Sequence, residues 1–270
     1  MKVALCFYGL VGSKVGKNGQ GEDLDPEIAY DLYRKNIIDK NDQVDVFIHS
    51  WSYEYKDRLT DLYSPKKMCI ENQVDFQTKA KNFKNKFPVY KTKLKLMFFK
   101  IFNNNAYLEL VNLKEKELFR AYSRWYSSKK SLDLKKEYEN EKGFKYDAVM
   151  ITRLDVGFFS ELMFDKYDMR YFYASHRNDA ALESNNYKAN RLNHDEGNTF
   201  QDLWFFSNSD NMDKFSLLYD YIENYRVSPH ASSREHVDVF IGKEKVKYTM
   251  YRWFDHELIR RKLFDSNDSD

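Results

Sequence analysis

The stretch from Tyr146 to Phe159 constrains the fold of this chain most tightly. Its residues 148–151, Ala-Val-Met-Ile, form a short apolar run, which is typical of a strand buried on both faces. Arg153 and Asp155 follow the run, and because they stand two residues apart, their side chains project to the same side of an extended chain. The stretch predicts a central strand of an α/β sheet with a cation and a carboxylate at its carboxyl end.

Two interpretations of Arg153 and Asp155 follow from this position. Ligands of open α/β sheets bind beyond the carboxyl ends of the strands, so both side chains are candidates for contact with a ligand. A structural ion pair at a strand end is the other interpretation, and the two residues alone do not decide between them. We expect Asp155 to face solvent, in which case its removal changes the stability by about 1 kcal/mol or less.

Two earlier apolar runs predict strands beside the central one. Residues 2–7 form the first run and residues 44–51 the second, and a helix that begins at Asp25-Pro26 separates them. A strand–helix–strand order of this length predicts a parallel pair. The ends of both strands are then expected to open onto the same edge of the sheet as Asp155.

A glycine-rich segment, residues 8–21, follows the first of these strands and holds five of the nine glycines in the chain. Bare backbone lets a phosphate approach closely, so a nucleotide is a candidate ligand of this segment. The segment matches neither a G-x-G-x-x-G motif nor a Walker loop. A mobile surface loop is the alternative interpretation.

The remaining chain predicts one domain over residues 1–264, with a mostly helical insertion at about 75–142 and a disordered tail at 265–270. Further strands are expected at 67–71, 171–174, 202–207 and 245–250, and further helices at 54–62, at 210–224, from 228 onward and at 255–263. Because no repeat or linker divides the chain, we predict a single α/β domain whose mostly parallel central sheet is flanked by helices.

Charged segments are expected at the surface. Residues 131–142 have the composition of a solvated helix end. His236 and His256 lie in charged stretches that are predicted to be helical, so we expect both side chains to be exposed.

Composition excludes several classes of protein. The 44 basic residues nearly balance the 42 acidic ones, and a net charge of +2 argues against a general nucleic-acid binder. Two cysteines, Cys6 and Cys69, make neither a disulfide framework nor a zinc motif, which fits a reducing compartment. No signal-peptide cleavage site or apolar run of about 20 residues is present, so we expect a cytoplasmic protein whose association with membranes, if any, is peripheral.

The order and spacing of several segments resemble a group of bacterial and viral glycosyltransferases that act in capsule and lipopolysaccharide synthesis. The segments are residues 3–9, 44–51, 122–142, 144–155 and 202–207. The resemblance implies a single GT-A-like (Rossmann-like) domain. It also implies transfer of a sugar from a nucleotide-diphosphate sugar donor to a glycan or a lipid-linked glycan acceptor.

The resemblance also defines a departure from the usual pattern. In most GT-A enzymes a D-x-D motif at the end of the central strand binds a divalent cation and the sugar nucleotide. The matching triplet here is Arg153-Leu154-Asp155, in which a guanidinium replaces the first carboxylate. Asp155, with His230 as a late ligand, is a candidate for binding Mn²⁺ or Mg²⁺. Alternatively, Arg153 neutralises the diphosphate and no metal is needed.

Candidate residues exist for each part of the reaction. The side chains and backbone expected to frame the nucleotide belong to Tyr8, Gly9, His49 and Trp51. Arg153 and Asp155 are expected to face the diphosphate, together with Lys14.

Asp202 opens a predicted strand after a long polar loop, and we assign it as the general base of an inverting transfer. The loop segment His194-Asp195-Glu196 supplies the second candidates for the base. Asp202 is alternatively a turn residue, and His230 a structural histidine at a helix start.

A second class of function stays open. The missing first acid of D-x-D is also expected of a catalytically inactive protein that binds nucleotide sugars or serves as a scaffold in polysaccharide synthesis. Transfer or hydrolysis of another activated phosphate group is a third reading.

Overall fold

The structure is a computed structural model that describes residues 1–14, 22–82, 104–176, 199–226 and 228–263. Its strands are β1 (Lys2–Gly9), β2 (Gln43–Ser50), β3 (Lys67–Ile70), β4 (Ala148–Arg153), β5 (Val156–Phe158), β6 (Phe172–His176), β7 (Trp204–Ser207), β8 (Val246–Tyr251) and β9 (His256–Leu258). Its α-helices are α1 (Pro26–Asn36), α2 (Lys56–Tyr63), α3 (Gln77–Asn82), α4 (Asn104–Lys142), α5 (Ser209–Ser216), α6 (Pro229–Val237) and α7 (Ile259–Leu263).

Seven strands form a central sheet in the order β3-β2-β1-β4-β7-β6-β8. Strand β1 pairs in parallel with β2 on one side and with β4 on the other, and β2 pairs in parallel with β3. Strand β7 runs antiparallel to both of its neighbours, and β6 pairs in parallel with β8. The predicted α/β class with a mostly parallel sheet flanked by helices is confirmed, as is the parallel arrangement of β1, β2 and β4.

The core lies on both faces of this sheet, because alternate residues of β1 point to opposite sides. Val3, Leu5 and Phe7 pack with residues of α1 and α2 in one apolar cluster, while Ala4 and Cys6 pack with α4 and α5 in the other. All five side chains are fully buried. A strand with no solvated face explains why the sequence shows a continuous apolar run there instead of an alternating pattern.

Helix α1 begins where the sequence predicted. Asp25 is its N-cap, and a side-chain oxygen of Asp25 accepts a hydrogen bond from the backbone N–H of Glu27. Pro26 occupies the first turn, where its missing N–H removes no helical hydrogen bond. The aspartate cap and the proline together fix the start of the crossover from β1 to β2.

The prediction of one helix over 255–263 is wrong in its first part. Residues 256–258 form β9, which pairs antiparallel with β5, and helix α7 covers only Ile259–Leu263. The backbone of residues 256–258 therefore forms hydrogen bonds with β5 in place of the first helical turn that the sequence predicted. The helix predicted over 210–224 similarly ends early, because α5 stops at Ser216 and 3₁₀ turns follow it.

The prediction that residues 131–142 form a solvated face is correct for one side of the helix, where residues 136–137 and 140–142 are exposed, and wrong for the other side. Lys135 and Glu139 are buried, and the Lys135 ammonium lies 3.0 Å from Glu139 Oε2, 2.7 Å from Asp213 Oδ1 and 2.7 Å from Ser209 Oγ. The charges of α4 are thus paired across its contact with α5, which is how a buried lysine is tolerated.

His236 and His256 are also buried, against expectation. The imidazole of His256 lies 2.7 Å from Ser175 Oγ, and His236 Nε2 donates a hydrogen bond of 2.9 Å to the carbonyl oxygen of Lys214. Burial lowers the pKa of His236 to about 4 and that of His256 to about 3. Both side chains are therefore neutral core residues near pH 7.

Within the part of the chain that the structure describes, none of the helices combines the length and the apolar character needed to cross a bilayer.

Candidate active site at the carboxyl ends of β1 and β4

Strand register brings the first two candidate residues together. Tyr8 of β1 lies directly beside Arg153 of β4 in the parallel pair. The backbone N–H of Leu154 donates to the carbonyl oxygen of Tyr8 over 3.3 Å, which continues the pairing as β4 ends. Asp155 follows immediately, so these residues share the carboxyl edge of the two central strands.

Arg153 and Asp155 form a bidentate ion pair. Arg153 Nε lies 2.7 Å from Asp155 Oδ1, and Nη2 lies 2.6 Å from Oδ2. Burial opposes the charge of the guanidinium, but Asp155 outweighs burial and raises the pKa of Arg153. The expectation that Asp155 faces solvent is wrong, because its side chain is buried. Its removal therefore leaves a poorly solvated cation unpaired.

Arg124 is a functional candidate that the sequence did not indicate. It projects from α4 and forms an ion pair with the carboxylate of Asp202, and its Nη1 donates to the Asp202 carbonyl oxygen over 3.3 Å. Burial and the nearby charge of Arg153 lower the pKa of Arg124 to about 10, although Tyr8 acts in the opposite direction. Arg124 stays charged at pH 7 and places a second guanidinium within electrostatic range of Arg153.

Asp202 joins α4, α6 and the strand ends. Its carbonyl oxygen also accepts a hydrogen bond of 3.2 Å from the hydroxyl of Tyr8. Its Oδ1 lies 3.4 Å from Nδ1 of His230, which donates to the carbonyl oxygen of Phe200 over 2.8 Å. The Asp202 side chain therefore bridges Arg124 and His230, and the structure brings Tyr8, Arg153, Asp155, Asp202 and His230 into one cluster through Arg124.

His49, Trp51 and Gly9 contact a different part of the molecule. His49 is fully buried, with Nδ1 at 2.7 Å from Ser127 Oγ of α4, and Trp51 stacks on Tyr126 with ring centroids 5.5 Å apart. The N–H of Gly9 donates to the same Ser127 hydroxyl oxygen over 2.9 Å. These three predicted nucleotide contacts therefore line the interface between the sheet and α4.

The loop after β1 closes against Asp155. Gly12 has a φ of +98°, and a Cβ at this position would lie 2.8 Å from Cβ of Asp155. Glycine is required there for both conformation and space. Lys14, which was expected to face the diphosphate, forms an ion pair of 2.7 Å with Glu22.

The residues at this edge do not fit a divalent cation. Both oxygens of Asp155 are engaged by Arg153, and His230, the predicted second ligand, lies against Asp202. Among the residues that the structure describes, the one group of three metal-ligating side chains is His49, Cys69 and Glu71, which includes neither predicted ligand. The chemistry of the edge instead suits an anion, because two guanidiniums converge on it.

Some predicted residues lie outside the described part of the chain. They are His194, Asp195 and Glu196, the second candidates for the base, and the tail at 265–270. Arg124 was missed because it stands in a charged helix with no local motif. The available signal was indirect: Arg124 lies next to the aromatic residue Trp125, which is buried in the structure.

No protein-family model matches the chain, and no curated protein matches it. Among solved structures, the chain is similar to the apo structure of the bifunctional glycosyltransferase WbbM, at 12% sequence identity and with a TM-score of 0.37. The likeness covers 92% of this chain and 38% of that one, so the chain spans well under half the length of that protein. At this level the likeness does not bear on the activity of the chain.

Proposed function

We propose that the chain is a nucleotide-sugar-dependent glycosyltransferase that binds the donor diphosphate with Arg153 and Arg124. One observation supports this above the others: two guanidiniums, one from β4 and one from α4, converge at the carboxyl ends of parallel strands. Open α/β sheets bind their ligands at this edge. The acceptor in this proposal is a surface glycan or its lipid-linked precursor.

The two arginines supply what the leaving diphosphate needs. Negative charge grows on the diphosphate as the bond to the sugar breaks, and fixed cations in a poorly solvated site stabilise that charge. A guanidinium donates two parallel hydrogen bonds to phosphate oxygens and stays charged at any physiological pH. In this role the guanidinium of Arg153 takes the place of two groups: the first acid of D-x-D and the metal cation that this acid binds in other enzymes. Donor binding then does not require a metal.

Asp202 serves as the base in the proposed reaction. Its carboxylate accepts the proton of the acceptor hydroxyl while the hydroxyl oxygen attacks the anomeric carbon and the nucleoside diphosphate leaves. A carboxylate that is paired with an arginine is a weak base. A bound diphosphate competes for Arg124, and this competition raises the proton affinity of Asp202 when the donor is in place.

A second candidate function is binding of nucleotide sugars without transfer. One observation favours it: both arginines already have a carboxylate partner, Asp155 for Arg153 and Asp202 for Arg124. A site neutralised in this way binds an anion more weakly than two unpaired cations do. Weak binding of the nucleotide is sufficient for a scaffold, which does not have to stabilise a leaving diphosphate.

Calorimetry with the full chain tests the proposal. We expect uridine or guanosine diphosphate to bind in the presence of EDTA, and Arg153→Ala to weaken binding about 10–100-fold, the value of a lost charged hydrogen bond. Arg170→Ala is the matched control, because Arg170 forms the same bidentate pair with an aspartate two residues away, but at the surface.

Equal affinities of the two variants, or binding that depends strictly on Mn²⁺, would contradict the proposed site. A nucleotide-release assay with several sugar nucleotides and glycan acceptors then separates transfer from binding alone. Binding without release in every combination would favour the scaffold.

A further inference from the structure

We propose that His49, Cys69 and Glu71 form a binding site for Zn²⁺, separate from the two arginines. Their ligand atoms, one nitrogen, one sulfur and one oxygen, all lie within 4.8 Å of one another. The inference does not depend on the proposed glycosyl transfer, because none of the three residues belongs to the arginine cluster.

Strand pairing fixes the three side chains on one face of the sheet. His49 of β2 stands directly beside Cys69 of β3 in the parallel register. Glu71 follows Cys69 by two residues, so its side chain projects to the same face. The backbone N–H of Glu71 donates to the carbonyl oxygen of Ser50 over 3.1 Å, which carries the pairing one residue beyond β3. The site is therefore built on two rigid strands.

The donor set selects the metal. Imidazole, thiolate and carboxylate together suit zinc, whereas Mg²⁺ and Ca²⁺ take oxygen ligands almost exclusively. Zinc bonds of about 2.0–2.3 Å place the ligand atoms of a tetrahedral site about 3.5 Å apart. A spread of at most 4.8 Å closes to that separation through side-chain rotations, without movement of the strands.

The hydrogen bonds around His49 resemble those of a zinc-bound histidine. Nδ1 lies 2.7 Å from Ser127 Oγ, and that hydroxyl also lies 3.4 Å from the carbonyl oxygen of His49, which is able to accept its hydrogen. When Nδ1 donates to Ser127, the lone pair of Nε2 faces Glu71 Oε1 at 3.0 Å. A lone pair and a carboxylate at this distance need a cation between them, and either a proton or Zn²⁺ provides it.

Zinc binding must therefore release a proton from the thiol. Burial lowers the pKa of His49, and burial together with Glu71 raises the pKa of the Cys69 thiol. The metal displaces the thiol proton; in the tautomer protonated at Nε2, the ring proton is taken up at Nδ1 instead, so the bound imidazole stays neutral. Lys130 acts against the metal, because its charge is felt at all three ligands, but two anionic ligands balance Zn²⁺.

The site has an entry route and an evident structural role. Strand β3 is the edge of the sheet, and Glu71 retains 34% of its side-chain exposure. Zinc held there would tie this edge strand to β2 and, through His49 and Ser127, to α4.

Cobalt(II) is the probe, because a thiolate ligand gives it a charge-transfer absorption in the near ultraviolet. We expect the full chain, stripped of metal with a chelator, to bind one cobalt ion with this absorption and to lose the absorption when Zn²⁺ is added. Cys69→Ser should abolish the absorption. Cys6→Ala, which changes the other cysteine, should leave it intact.

Two further variants keep the test decisive if Cys69→Ser is unstable. Glu71→Gln removes a ligand, and we expect it to weaken Zn²⁺ binding by more than the roughly 10–100-fold that the loss of an outer partner costs. Ser127→Ala removes that outer partner and should weaken binding about 10–100-fold. Absence of the absorption in the wild type, its persistence in Cys69→Ser, or unchanged zinc affinity in Glu71→Gln would overturn the site.

Discussion

Two arginine–aspartate pairs in this molecule have the same geometry and opposite surroundings. In each pair the residues stand two positions apart and two guanidinium nitrogens bind the carboxylate, with the shorter contact at 2.6 Å. Arg170 and Asp168 retain 85% and 35% of their side-chain exposure, whereas Arg153 and Asp155 retain 24% and 7%. One pair lies at the surface, and the other lies at the carboxyl end of a central strand.

Burial, and not spacing along the chain, decides what such an arginine–aspartate pair contributes. An exposed pair is screened by water and salt and contributes little. A buried pair has lost hydration that its own attraction barely recovers, so apolar residues would often serve stability as well. The pair at Arg153 is therefore a candidate for function, and Arg124 and Tyr8 beside it strengthen that reading.

The largest expected effect is on the rate of transfer, and it concerns Asp202, the carboxylate that is paired with Arg124. Asp202→Asn should lower the rate of transfer roughly 10²–10⁴-fold, about 3–5 kcal/mol of barrier, because the amide cannot accept the proton. Nucleotide affinity should rise and not fall, because the amide no longer neutralises Arg124, and Asp168→Asn, the surface counterpart, should alter neither quantity. Steady-state rates and calorimetry measure the two effects. Full activity of the Asn variant would move the role to Asp195 or Glu196, and a retained anomeric configuration in the product would remove the need for a base.

Double-mutant cycles measure how strongly the two residues of each pair interact, so they test the comparison directly. We expect alanine variants of Arg153 and Asp155, single and combined, to give a coupling of about 2–3 kcal/mol in the free energy of unfolding, because either single change leaves a buried charge unpaired. In about 1 M salt, which screens exposed charges, the same cycle at Arg170 and Asp168 should give a coupling too small to resolve in urea titrations. Comparable couplings would mean that burial does not distinguish the pairs.

Two glycines test how closely the loop holds Asp155. Gly9 and Gly12 have φ values of +96° and +98°, so alanine is placed in an unfavourable backbone conformation at both positions. No atom lies within 4 Å of a Cβ built at Gly9, whereas a Cβ built at Gly12 lies 2.8 Å from Cβ of Asp155. Gly12→Ala should therefore destabilise the chain by about 1–2 kcal/mol more than Gly9→Ala in thermal unfolding. Equal losses would show that the loop yields without disturbing the buried pair.

The smallest effect concerns the surface pair. The hydrogen bonds from Arg170 lower the pKa of Asp168 to about 2. A lowered carboxyl pKa favours the folded state above the unfolded value of about 4, and this contribution disappears as pH falls toward 2. An NMR titration should find the low value at low salt and a rise toward the ordinary value in 1 M salt. A pKa of Asp168 that does not change with salt concentration would indicate that the pair is less exposed in solution than in this structure.

The parallel strands were predictable because burial on both faces leaves a direct mark in the sequence. Residues 148–151 have no polar member, since no face of β4 meets water. The pair of Arg153 and Asp155 was predictable too, as one of two interpretations, because its partners are two residues apart.

The rest depended on contacts between distant segments. Arg124 reaches Asp202 across 78 positions of the chain, and Lys135 is buried because Asp213, also 78 positions away, pairs with it. A charged helix gives no local signal of such partners. His49 was assigned to the ligand edge from its position at a strand end, but its side chain projects to the face that α4 covers.

The place of β1 in the sheet has a consequence for how the chain is made. Strand β2 is made soon after β1 and is available to pair with it, whereas the other edge of β1 waits for β4, where the backbone N–H of Lys2 meets Asp147 at a separation of 145 residues. Ribosomes add about 5–20 residues per second, so an apolar strand edge stays unpaired for roughly 10–30 s. We expect nascent chains arrested before β4 to bind chaperones or aggregate, and those arrested after β7 to resist protease. Chaperone dependence of the yield would then follow the speed of translation between β1 and β4.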